Sequence, residues 1–159
     1  MDYHIRQIEP KDDPVIERII RDCLIEFGGD HAGTAWTDPN LGRFSHIYNT
    51  TGNRYWVAVA DTDRVLGGVG IGTLDKLGSI CELQKMYCIP AARGCGIAKA
   101  LLDTALTYAK GYYQICYLET LENMTAARRF YEKNGFTRVA EPLVVTEHFA
   151  CDVRYSKAL

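Results

Sequence analysis

No apolar run in this chain approaches the ~18–20 residues that a membrane-crossing helix requires. The opening residues, Met1-Asp-Tyr-His-Ile-Arg6, lack the pattern of a secretory signal. Charge of one sign is also scarce. Eighteen Lys and Arg stand against 20 Asp and Glu, a net charge of −2. No basic surplus is available for a nucleic-acid backbone or an anionic bilayer, so neither nucleic acid nor membrane is expected as a partner. The six cysteines, at positions 23, 81, 88, 95, 116 and 151, make no Cys-x-x-Cys pair and no metal-site spacing, so no metal is expected. Most of them sit in apolar segments, where a free thiol behaves as a small hydrophobe; the reading is a reducing, cytoplasmic setting. The Gly-x-x-x-x-Gly-Lys-Ser/Thr loop of a nucleotide-binding switch is missing, as are repeats, linkers and low-complexity runs.

What is present suits one domain spanning residues 1–159. The length allows roughly 70% of the unfolded surface to be buried, and 47% hydrophobic with 24% charged residues is a globular composition. Residues 3–8 alternate as a first strand. Asp12 or Asp13 can cap a helix with Pro14 in its first turn, and Ile16, Ile19, Ile20, Cys23, Leu24 and Phe27 recur on one helical face until Gly28-Gly29 stops it. Residues 28–53 are irregular, with a short helix expected around 41–48. Strands follow at 55–60 and 65–72 about the polar turn Asp61–Arg64. The second of these is glycine-rich, but its spacing fails as a dinucleotide loop, and the glycines read instead as sites of close approach to a sheet. The central strand is 80–88, and a helix from about residue 96 or 97 ends at Gly111. A strand at 113–120 comes next. A helix from Met124 to Asn134 has Asn123 as its expected N-cap and Gly135 at C′. Strands at 136–139 and 148–155 complete the order β-α-(α)-β-β-β-α-β-α-β-β.

The stretch from Glu82 to Leu102 passes from strand to tight loop to amphipathic helix. Gly94 and Gly96 remove side chains that would block approach to the backbone, and the first N–H groups of the helix lack intrahelical partners. With the helix dipole and Arg93, the loop has the chemistry of a phosphate cradle. Arg93-Gly94-Cys95-Gly96-Ile97-Ala98 fills every fixed position of Gln/Arg-x-x-Gly-x-Gly/Ala, and so resembles the acyl-CoA pyrophosphate loop of the GNAT N-acetyltransferases. Tyr131-Glu-Lys-Asn-Gly-Phe136 is similar to a second block of that family, Tyr-x-x-x-Gly-Phe. The element order resembles the family fold too: an α/β (α+β mixed) chain with a central, mostly antiparallel sheet flanked by helices.

The resemblance implies an enzyme of the acyltransferase class that moves acetyl from acetyl-CoA directly to an amine. A small molecule, an amino acid or a protein N-terminus would each serve as acceptor. A lysine-like amine is mostly protonated at neutral pH, so a base is useful. Glu82, eleven residues before Arg93, matches the general-base glutamate of some members. Glu119 is the rival base, and water alone is the third option. Tyr131 matches the tyrosine that protonates the departing thiolate. By strand alternation Glu82, Gln84, Met86 and Cys88 would share one face. Backbone groups of Met86, Tyr87 and Cys88 would pair with the pantetheine arm, while Arg93, Gly94, Cys95, Gly96, Ile97 and Ala98 would hold the pyrophosphate, Cys95 by its backbone only. The family's asparagine seven residues before the tyrosine is replaced by Met124 here, so that contact does not carry over. Residues 28–53 are expected to cover the substrate side; His31 and His46 within them receive no role. An edge in the C-terminal strands is where a second copy would pair to make a homodimer. A non-catalytic acyl-CoA-binding regulatory module of the same fold is the alternative to a catalyst.

Overall fold

The periodicities above resolve, in the computed structural model, into a single seven-stranded sheet with helices on both faces; residues 1–144, 146 and 148–159 are described. In chain order the elements are β1 (Tyr3–Gln7), α1 (Asp13–Glu26), α2 (Phe44–Ile47), β2 (Arg54–Ala60), β3 (Val65–Thr73), β4 (Ile80–Cys88), α3 (Ile97–Ala109), β5 (Ile115–Thr120), α4 (Thr125–Lys133), β6 (Thr137–Val139) and β7 (Val153–Ala158). Their order across the sheet is β1-β2-β3-β4-β5-β7-β6. Every neighbouring pair is antiparallel except β4 and β5. Among the described residues no helix is long and apolar enough to cross a membrane.

The α/β architecture and the element order follow the sequence expectation, with local differences. Asn123 does not cap α4. The helix begins after Met124, and the Asn123 amide donates instead to the Phe27 carbonyl at 2.7 Å, tying the start of α4 to the end of α1. The last strand begins at Val153, because the preceding residues turn back on themselves, with Cys151 N–H donating to His148 O and Ala150 N–H to Gly33 O. The helix expected over 41–48 contracts to the single turn α2.

Two apolar layers hold the sheet. On one face Ile97, Leu101, Leu102 and Ala105 of α3 pack on Val69, Ile71, Leu83 and Leu118. On the other, Ile16, Ile20 and Leu24 of α1 pack on Tyr55, Val57, Val59 and Val65. The apolar stripe of α1 ends in a Schellman turn. Gly28 takes a φ of +69°, its N–H donates to Ile25 O at 3.2 Å, and Gly29 N–H donates to Leu24 O at 2.7 Å.

Strand β4 does not alternate as the sequence pattern predicts. Gln84 pairs with Gly70 and Tyr87 with Gly68, so Lys85 and Met86 together oppose Val69. This is a β-bulge, and Lys85 sits in it at φ +51°. The extra residue reverses the faces beyond it. Met86 and Cys88 therefore pack on the α3 side with Cys81 and Leu83, not with Glu82 and Gln84, while Tyr87 joins the α1 side. A left-handed conformation costs a non-glycine residue about 1–2 kcal/mol. It is held by the Tyr55 hydroxyl, which donates to the Lys85 carbonyl at 2.7 Å. The glycines of β3 make this reach possible. A Cβ on Gly68 would stand 2.5 Å from the Tyr55 ring, and one on Gly70 would stand 2.8 Å from it.

Tyr55→Phe leaves a half-buried carbonyl without its hydroxyl donor in the bulge and is expected to cost about 1–3 kcal/mol, roughly 2–12 °C of melting temperature for a chain of this size. Gly68→Ala should cost at least as much, by driving a methyl into the Tyr55 ring. Differential scanning calorimetry of the two variants measures both.

Candidate active site

Strands β4 and β5 pair only where Ile80–Glu82 meet Ile115–Tyr117, and beyond that point they part. One edge of β4 is therefore left without a strand partner. The N–H of Ile89 donates to Leu66 O at 2.9 Å. By the alternation of an antiparallel ladder, Tyr87 and Ile89 turn their backbone groups toward β3, and Met86 and Cys88 turn theirs into the opening. The Cys88 carbonyl accepts from Arg93 Nε at 3.3 Å and from the Cys23 thiol at 3.6 Å, and among the described residues neither Met86 nor Cys88 pairs with β5. Met86 and Cys88 thus face the opening with their backbone, and Tyr87, which also lines it, does so with its ring and not its backbone.

The opening is an apolar cleft of about 310 Å³, lined among others by Phe27, Met86, Tyr87, Ala127, Phe130 and Tyr131. At its outer end lie residues 93–98. Gly94 and Gly96 hold φ of +73° and +81°, and a Cβ at either would meet no atom within 4 Å. They are required here for the sharp turn and not for clearance from protein atoms. The turn leaves the N–H groups of Gly94, Cys95, Gly96, Ile97 and Ala98 without an acceptor among the described residues, at the positive end of α3. Arg93 is not extended toward this cradle. Its guanidinium bonds Glu26 Oε2 at 2.7 Å and lies 5.8 Å from the centre of the Phe27 ring.

Tyr131 closes the inner wall. The spacing Tyr-x-x-x-Gly-Phe is a Schellman turn at the end of α4. Gly135 at φ +89° donates to Glu132 O, Phe136 N–H donates to Tyr131 O at 3.0 Å, and the Phe136 ring packs edge-on to Tyr131 at 5.8 Å. Phe130 and Tyr155 flank the same ring. Its hydroxyl has no hydrogen-bond partner among the described residues, and burial pushes its pKa upward, so it stays protonated. Met86, Tyr87, Met124 and Tyr131 also line a narrower space that continues to Glu82 and Glu119.

The two carboxylates differ in their partners. Glu119 accepts from the Tyr117 hydroxyl at 2.9 Å and from Thr146 Oγ1, with Arg154 Nε 3.8 Å away. Glu82 is 8% exposed, has no ion-pair partner among the described residues, and accepts on Oε1 from Gln84 Nε2 at 2.7 Å. Burial is the largest influence on its carboxyl and pushes it above the ordinary range, against the pull of the Gln84 hydrogen bond and the Lys85 charge. Cys88 lines the apolar cleft and Cys151 the narrower space, but burial pushes their thiols up to about 11 and about 12, which keeps both protonated and poorly nucleophilic.

Beyond Glu82 the passage opens into a polar pocket of about 410 Å³, walled by Tyr48, Glu82, Gln84, Lys85, Asp38 and His148. Residues from the irregular 28–53 stretch thus form one wall of it. Asp38 is the knot of this wall. Lys85 Nζ lies 2.5 Å and His148 Nε2 3.0 Å from its carboxylate. Burial alone would push the Asp38 carboxyl up, but the hydrogen bond from His148 and the Lys85 ammonium outweigh it and hold the carboxyl below its ordinary range. Asp38, Tyr48, Gln84, Lys85 and His148 escape a reading of the sequence, since they are scattered singly over 110 positions and meet only through the bulge and the turn before β7.

Known proteins share this fold. Residues 51–138 match the family described as the acetyltransferase (GNAT) domain. The chain is 39% identical over 158 residues to the uncharacterized N-acetyltransferase YjgM of Escherichia coli (strain K12), covering 98% of this chain and 94% of that protein. Its fold is similar to a GNAT-family acetyltransferase from Staphylococcus aureus Mu50, with a TM-score of 0.87, 22% identity and 99% of each chain covered. It is also similar to the PaiA N-acetyltransferase of Thermoplasma acidophilum in complex with coenzyme A, with a TM-score of 0.77, 19% identity and 100% of each chain covered. With a free-edged central strand, a glycine-turned helix start and these relatives over nearly its full length, the chain belongs to the GNAT family of acetyltransferases.

Proposed function

We propose that residues 1–159 act as one catalytic domain that moves the acetyl group of acetyl-CoA directly to an amine of a small molecule or peptide. The observation that carries this reading is the continuous passage through the gap between β4 and β5. A cleft along the β4 edge that β5 does not pair, with a Tyr131 hydroxyl that has no partner among the described residues, lies on one side of it, and a buried Glu82 lies on the other. The residues present fit coenzyme A. Five free N–H groups at 94–98 suit a diphosphate, the Met86 and Cys88 backbone suits the amides of a pantetheine arm, and apolar walls suit its methylenes. Acetyl-CoA supplies the activated acetyl as a thioester.

The chain's own groups would do the rest. Glu82, with its raised affinity for a proton, accepts one from the amine directly or through water as the new C–N bond forms. A backbone N–H facing the opening stabilises the negative charge that builds on the carbonyl oxygen. Tyr131 gives its proton to the sulfur as the C–S bond breaks. Glu82 is preferred to Glu119 because two hydroxyl donors and a guanidinium already occupy the latter. Arg93 would leave Glu26 to meet the diphosphate.

In a thiol-release assay over an amine library, Glu82→Gln and Tyr131→Phe are each expected to lower kcat by on the order of 10²-fold or more, with coenzyme A affinity unchanged by calorimetry. Full activity in Glu82→Gln with loss in Glu119→Gln would move the base to Glu119. A protein that binds coenzyme A but releases no thiol with any amine would favour the regulatory module.

Stability gives a second readout with the opposite sign. The Glu82 carboxyl binds its proton more tightly in the folded than in the unfolded chain. It therefore costs stability as pH rises from the ordinary carboxylate range through the raised native value, and the cost is complete above that value. Glu82→Gln should thus melt no lower than the wild type above neutral pH while losing activity; a lower melting temperature there contradicts the raised carboxyl.

For the cradle, Arg93→Ala is expected to weaken coenzyme A binding roughly tenfold, the scale of one charge-assisted hydrogen bond. Glu26→Gln, which frees the guanidinium, should hold or tighten it. Equal losses in both would mean that the pair only braces α1.

A further inference from the structure

Gln84 lies next to Glu82 on one face of β4, and its amide is fixed from three directions. Its Oε1 accepts from the Tyr48 hydroxyl at 2.5 Å, and its Nε2 donates to Glu82 Oε1 at 2.7 Å. Beneath it is Gly72 of β3, where a Cβ would stand 2.7 Å from Oε1 and 3.0 Å from Nε2, so only bare backbone lets the amide lie flat. Tyr48 is itself buried, its ring 5.3 Å from Phe44 and 5.4 Å from Tyr55, above Gly70. A tyrosine hydroxyl can donate or accept. Here the direction is set by the far end of the chain of bonds. An amide turned the other way would press its carbonyl oxygen against an ionised carboxylate.

We propose that Tyr48 and Gln84 are positioning residues for Glu82: the Tyr48 hydroxyl locks the Gln84 amide with its N–H toward the Glu82 carboxylate, which keeps that carboxylate ionised and aimed along the passage. This rests on the reading of Glu82 as the base. The other titratable groups around Glu82 are Lys85 on its own strand, Cys116, Tyr117 and Glu119 on β5, Asp38 from the 28–53 wall, and His148 and Cys151 before β7. None of these makes a hydrogen bond to Glu82 among the described residues, so the Gln84 amide is the direct donor. Removing the hydroxyl frees the amide to rotate, and Glu82 then holds its proton to higher pH, most depleting the carboxylate at the acid end of the profile.

The test titrates carbon-13 glutamate-labelled protein by NMR, with the Glu82 carboxyl signal identified by its absence in Glu82→Gln. Tyr48→Phe and Gln84→Leu should both move the Glu82 titration upward. They should also lower kcat/KM for the amine roughly tenfold at the acid end, with the deficit closing at the alkaline end and KM for acetyl-CoA unchanged. An unmoved Glu82 titration in a folded Tyr48→Phe protein, or a rate loss equal at every pH, overturns the positioning role while leaving Glu82 as base. Wild-type rates in Glu82→Gln overturn the base instead, and the NMR titration still judges the Tyr48–Gln84 lock by itself.

Discussion

One hydrogen bond, from the Tyr55 hydroxyl to the Lys85 carbonyl, holds the geometry on which the rest of this molecule depends. It crosses a whole strand, and it can do so because β3 presents glycine where the ring passes. The carbonyl it captures belongs to the bulged residue of β4. The bulge gives the two halves of β4 different tasks. Before it, Glu82 and Gln84 face the polar pocket; after it, Met86 and Cys88 turn bare backbone into the gap beside β5. An unbroken strand would put Met86 on the Glu82 face and leave Lys85 on the other. The sheet thus accepts a strained residue and a glycine-weakened neighbour to set two unlike surfaces on one strand.

The electrostatics follow from that division. Two carboxylates stand near the start of the gap with unlike hydrogen-bond partners. Glu119 accepts from two hydroxyls, whereas the buried Glu82 accepts from one amide at the edge of the polar pocket. A carboxyl kept in such a place is a poor contributor to stability and a good proton acceptor, and the same burial produces both properties. The Tyr131 hydroxyl has no hydrogen-bond partner among the described residues, and its ring is held by Phe130, Phe136 and Tyr155. Asp38 is the opposite case, a carboxylate tied by Lys85 and His148, and it gives the otherwise irregular 28–53 stretch a fixed edge over the pocket.

Much of this was legible in the sequence where the signal is local. The helix faces of α1 and α3, the Arg93–Ala98 turn and the Tyr131–Phe136 block each declare themselves within a few residues, because capping and periodicity are short-range. The glycines of β3 announced close packing, though not that Tyr55, Tyr48 and Gln84 would be the groups lying on them. The bulge was invisible. Lys85 carries no mark of a positive φ, and a strict alternation through 82–88 therefore assigned Met86 and Cys88 to the wrong face. Asn123 looked like a cap by residue type, but the end of α1 offered its amide a better acceptor at Phe27. His148 could be read only once the turn before β7 brought it across the sheet to Asp38.

In the proposed function coenzyme A lies along the free edge of β4 with its diphosphate on the start of α3. Amide hydrogen exchange followed by mass spectrometry, with and without coenzyme A, addresses it most directly. Slowed exchange is expected in peptides covering Met86–Cys88 and Gly94–Ala98, where the amides of Met86, Cys88 and residues 94–98 face the opening. Protection confined to other segments, or none at saturating coenzyme A, would contradict it.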